Sequence, residues 1–156
     1  MSSSDLVKLD SMTMFVELTC ELILCANQYM GKSTTFPRGL NLLSEYPFRI
    51  EILFLKRSKA NNLIKRLKKT LNKLLKFVID EIVDWSTYGA SGLHPEEADF
   101  ILKERKKTKK RIEKVLKQFQ GHPNFENHFT QTGNMSAILL RCMDALIDDL
   151  YPRIDD

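Results

Sequence analysis

The sequence predicts an all-α protein, a four-helix bundle or a closely related small helical bundle, and three observations carry that reading. Apolar residues recur at spacings of three and four over four long stretches, glycine and proline fall mostly between them, and only one short segment is β-prone. At 156 residues the chain has the length of one domain, 1–156, with one core.

The first helix is expected over 5–30, with Ser4 as N-cap and Gly31 at the stop. Leu9, Met12, Phe15 or Val16, Cys20, Ile23 and Met30 fall at helical spacing, while Leu18, Leu22, Leu24 and Cys25 help to encircle the helix with apolar side chains. A helix apolar on most sides is central in a bundle or covered by a partner. GKSTTFPRG then reads as a loop, and Pro47 suits the first turn of a second helix over 47–86. Ile50, Phe54, Leu63, Leu67, Leu71, Leu74, Val78, Ile82 and Trp85 form its stripe, interrupted near 58–62, where a kink or short loop is expected. Within it, FRIEILFL (48–55) alternates as a strand would. With no second strand to pair with it, helix is preferred.

The third helix is expected over 95–120. His94 is the cap, Pro95 the first residue, and Glu96 and Glu97 lie at the positive end of the macrodipole. Ile101, Thr108, Ile112, Val115 and Phe119 mark its buried side, and Gly121 with Pro123 ends it. Residues 103–111 include no strongly apolar side chain, so thin packing is expected there. The last helix, over 134–150, buries Met135, Ile138, Leu139, Cys142, Leu146 and Leu150, with Pro152 beyond it.

Net charge is only +4, but the charge is segregated. Segments 56–76 and 103–117 hold 18 of the 24 Lys and Arg, with just two acids, Glu104 and Glu113. Lys65, Lys69 and Lys73 stack at i,i+4, as do Lys106, Lys110 and Lys114, and Lys103, Lys107 and Arg111. Such like-charge neighbours cost a few tenths of a kcal/mol per pair. A solvated surface is the ordinary explanation of lysine-rich faces. Acids elsewhere, notably Asp144, Asp148, Asp149, Asp155 and Asp156, are candidates to pair with them, since they sit badly at the negative end of their own helix.

Chemistry is sparse. Cys20, Cys25 and Cys142 have no metal-ligand spacing and read as buried thiols in a reducing, cytoplasmic setting. The apolar run 12–25 is interrupted by Glu17 and Glu21 and is shorter than the roughly 20 residues of a membrane span. His94, His122 and His128 are scattered, so no metal site and no cofactor are expected, and no catalytic triad can be argued from spacing. ANQYMGKS (26–33) loosely fits a phosphate-binding loop, and KFVIDE (76–81) has the shape of its magnesium-holding partner. The loop would need small residues after a buried strand, whereas Asn27, Gln28, Tyr29 and Met30 are bulky and follow a helical pattern. Nucleotide binding is therefore only a remote alternative.

The expectation is a non-enzymatic basic binding module. Nucleic acid is the first partner, held through its backbone by Lys65, Arg66, Lys68, Lys69, Lys73 and Lys76 of the second helix. From the third helix come Arg105, Lys106, Lys107, Lys109, Lys110, Arg111 and Lys114. The alternative is a protein-interaction adaptor or complex subunit, with an acidic protein surface or a second copy of the chain (a homo-oligomer) as partner. An anionic membrane surface comes third. The segment NLIKRLKKTLNKLLKF resembles a Leu/Lys-rich helix of the basic four-helix-bundle proteins that assist reverse transcriptases in bacterial diversity-generating retroelements. That resemblance would imply ring assembly and RNA binding. It carries no diagnostic residue, and no family is assigned on it.

Overall fold

A computed structural model describes residues 3–29, 57–87, 94–121 and 134–154 of the chain. They form four helices, α1 (Ser3–Tyr29), α2 (Arg57–Thr87), α3 (Pro95–Gly121) and α4 (Asn134–Ile154), and no strand is found among them. The bundle is all-α, as the periodicity predicts. The segment 47–56, including the strand alternative at 48–55, lies outside the described residues.

Two boundaries differ from expectation. Helix α2 runs through 58–62 without a break. Nothing between Arg57 and Thr87 is glycine or proline, and Leu63 and Ile64 bury at once, so packing holds the turn that the sequence pattern leaves apolar-poor. Helix α4 continues past 150 and through Pro152 to Ile154. Pro152 carries no N–H, so the last turns of α4 close with one backbone donor fewer. The start of α3 follows expectation: His94 is non-helical, and its carbonyl accepts the first bond from the Ala98 N–H at 3.1 Å.

Each helix packs against two neighbours, α1 on α2 and α4, and α3 on α2 and α4, so the four occupy the corners of a bundle. Their directions follow from cross-helix contacts. Lys8 lies 5.5 Å from the Phe77 ring centroid and Arg66 reaches Met14, so α1 and α2 are antiparallel. On the opposite side, Arg105 and Thr108 meet Asp149, while Arg111 and Lys114 face Ile138 and Arg141, so α3 and α4 are antiparallel too. Helices α2 and α3 are only seven residues apart in sequence and pack together, with Glu81 near the end of α2 meeting Arg105 in the first half of α3, so they are antiparallel as well.

The core gathers Met12, Phe15, Leu18 and Leu22 of α1 with Ile64, Leu67, Leu71, Leu74 and Val78 of α2. Ile112, Val115 and Phe119 of α3 and Met135, Leu139, Cys142 and Leu146 of α4 complete it. Each large side chain removed from water contributes about 1.5–3 kcal/mol. Cys20 and Cys142 are free thiols that behave as small apolar filler, each pushed up by burial to about 12. Thr70 and Thr108 are buried within helices and bond back to the carbonyls of Arg66 and Glu104, at 2.9 and 3.1 Å. Among the described residues no helix is long and apolar enough to cross a membrane.

Candidate nucleic-acid interface

The same 3.6-residue period that buries Leu67, Leu71 and Leu74 throws Lys65, Lys69, Lys73 and Lys76 outward, and all four are exposed. On α3 the turns that bury Thr108, Ile112 and Val115 expose Lys103, Lys106, Lys107, Lys110, Lys114 and Lys117. Because α2 and α3 are antiparallel neighbours, the basic first half of one lies alongside the basic second half of the other. Counting from the Glu81–Arg105 pair, Lys76 stands at the level of Lys110, and Lys69 at the level of Lys117. Two basic segments far apart in sequence thus form one basic region spanning two neighbouring helices, with each stripe pointing away from the core.

Not every expected residue belongs to it. Arg66 is exposed but leans onto α1, its Nη2 lying 3.4 Å from Met14 Sδ. From there it draws down the Glu17 carboxyl, which burial raises on balance. Lys68 and Lys109 are half-buried on the flanks, and Lys109 lies 3.9 Å from Glu113. Lys107 pairs with Glu104 at 3.3 Å, a contact that at this exposure contributes little.

Arg105 is the clear correction. It was expected on the anion-binding face, but it is buried, 6 % exposed, and committed to internal acids. Its Nε donates to Glu81 Oε2 of α2, its Nη1 lies 2.9 Å from Asp149 Oδ1 of α4, and the Thr108 hydroxyl bonds the other oxygen of Asp149. This polar layer ties three helices and fills the stretch of α3 expected to be thinly packed. Burial holds Asp149 above the usual carboxylate range, with Glu81 and Glu104 raising it further. The Thr108 hydrogen bond and Arg105 oppose the rise. The expectation that an acid near the end of α4 finds an internal cation holds for Asp149. Asp155 and Asp156 lie outside the described residues.

Arg111 turns towards α4. Together with Lys114, Ile138 and Arg141 it lines an open cleft of about 150 Å³ between the two helices. Its charge opposes the rise that burial imposes on the Cys142 thiol of α4. Arg141 went unremarked in the sequence because it is a lone cation in the apolar run ILLRCM. Its isolation at an exposed position is the signal that could have found it.

The phosphate-loop alternative loses its context. Residues 26–29 close α1 instead of following a strand, while Asp80 and Glu81 sit within α2, and Glu81 is occupied by Arg105. Residues 30–33 lie outside the described residues. Among the described residues no group of His, Cys, Asp and Glu could hold a metal ion. No protein family, curated protein or solved structure matches the chain.

Proposed function

We propose that the protein is a non-enzymatic nucleic-acid-binding accessory module that grips the phosphate backbone across α2 and α3. The observation that supports this is the exposure of Lys65, Lys69, Lys73 and Lys76 on one helix and of Lys106, Lys110, Lys114 and Lys117 on the antiparallel helix packed beside it. Like-charge stripes of that kind repel one another, and a polyanion relieves the repulsion while releasing its counterions. Lysines without interleaved aromatics favour backbone or shape recognition over base reading.

The test is fluorescence anisotropy with labelled structured RNA, duplex DNA and single strands over a salt series. Tight binding with a steep salt dependence is expected. Reversing Lys65, Lys69 and Lys73 to Glu should leave helicity unchanged, since all three are exposed, and lower the duplex salt slope by about 3. An unchanged slope would remove this face from the reading.

A second reading, a protein-interaction adaptor, is favoured by a different region. Phe100, Val83, Leu6 and Val7 are 64, 56, 50 and 49 % exposed, and the helix directions place them towards the end of the bundle away from Lys65, Lys69 and Lys117. No nucleic-acid binding at low salt would transfer the case to that end.

A further inference from the structure

The cleft between α3 and α4 is built differently from the lysine stripes. Arg111 and Lys114 approach from α3 and Arg141 from α4, around a floor supplied by Ile138. Among the described residues none of the three cations has an ion-pair partner. The two acids of that stretch of α3, Glu104 and Glu113, lie against Lys107 and Lys109 instead. Three positive charges around one small space repel each other until an anion enters. A carboxylate would neutralise one of the three, and a tetrahedral dianion two. Guanidinium groups present paired N–H donors that match phosphate oxygens, and the ammonium supplies a point charge beside them. The space is about ten times the ~15 Å³ that one water molecule requires. That suits a phosphate with part of the group it is bonded to, and the Ile138 side chain offers an apolar surface for that group.

We propose that the cleft formed by Arg111, Lys114, Arg141 and Ile138 is a binding site for a phosphate monoester. Lys114 belongs both to the cleft and to the outward stripe of α3, so a strand lying along the stripe would bring a terminal phosphate to the cleft. The same chemistry is carried by a free nucleoside monophosphate. The site does not depend on the backbone-binding reading, because its first test uses no polynucleotide.

That test follows the arginine Nε–H signals of the full chain by NMR during titration with a nucleoside 5′-monophosphate, and with the unphosphorylated nucleoside as control. Saturable shifts at Arg111 and Arg141 are expected with the monophosphate alone, and they should vanish in Arg141→Gln. In parallel, a 5′-phosphorylated oligonucleotide is compared with its 5′-hydroxyl twin. About tenfold tighter binding of the phosphorylated strand, abolished by Arg141→Gln with no change for the hydroxyl strand, would identify strand ends as the source. Equal binding of the two strands together with monophosphate shifts would identify free nucleotides. No shift and no preference would overturn the site, even if both oligonucleotides bound through the lysine stripes. Arg111→Gln provides the second variant and should reproduce Arg141→Gln.

Discussion

Replacing Arg105 with methionine removes the cation that holds Glu81 and Asp149, whose side chains are 9 and 7 % exposed. With so little water at hand, both carboxylates must either stay ionised without the guanidinium or take up protons. At 2.9 Å the Arg105–Asp149 attraction is about 6 kcal/mol gross for an effective dielectric constant of ~20, and desolvation offsets part of it. Breaking such a pair by removing one member costs about 3–5 kcal/mol. For a urea dependence of about 2 kcal/mol per molar, the unfolding midpoint should fall by about 1.5–2.5 M at neutral pH. Arg105→Lys keeps the charge but loses the fork that reaches two helices, and should fall in between. Converting the whole layer, Glu81→Met with Arg105→Met and Asp149→Leu, should recover most of the loss, because no charge is then left buried alone. A midpoint shift below about 0.5 M for Arg105→Met would show that water reaches the layer and would refute the account given of it.

The remaining expectations are smaller. Asp149 is raised in the folded state, so ionising it costs stability as pH climbs from its ordinary value of 3.8 through the raised one. Asp149→Asn should therefore gain on the wild type as pH rises across that window in urea titrations, and a gain on acidification would reverse the sign of the argument. Thr19 is fully buried and its hydroxyl has no hydrogen-bond partner among the described residues, so Thr19→Val should stabilise by about 1 kcal/mol; a loss would reveal a hidden partner. With thiols at about 12, Cys20 and Cys142 of a Cys25→Ser variant should resist a disulfide reagent at pH 8 until denaturant is added.

The helices were legible because their burial is repetitive. Leu63, Leu67, Leu71, Leu74 and Val78 announce α2 by spacing alone, and their burial follows it. The polar layer was legible only in part. Thr108 was expected on the buried side, but the gap from Ile101 to Thr108 needs a residue at 105 to keep the period, and KERKKTKKR disguises it among solvated lysines. Glu81 continues the phase of Leu74 and Val78, and Asp149 that of Cys142 and Leu146, so three charges of complementary sign occupy core positions on three helices. Hydropathy assigns each of them to solvent. Only the pairing, which is tertiary, makes their burial affordable. The cleft was harder still to foresee, since Arg141 acquires its company from α3.

The antiparallel arrangement also has an electrical consequence. Along α2 and α3 the balance of exposed charge shifts with level: Lys65, Lys69, Lys114 and Lys117 lie towards one end, Lys103, Lys106 and Lys107 share the level of Asp80 and Asp84, and Glu96, Glu97 and Asp99 lie towards the other end. Such a gradient gives α2 and α3 a charge asymmetry along their length. Within about 8 Å at physiological salt, an approaching polyanion would exert a torque on the bundle before contact and swing the end with Lys65, Lys69 and Lys117 to the front. Encounters would then begin in one orientation, with the end carrying Leu6, Val7 and Phe100 trailing outward into solvent.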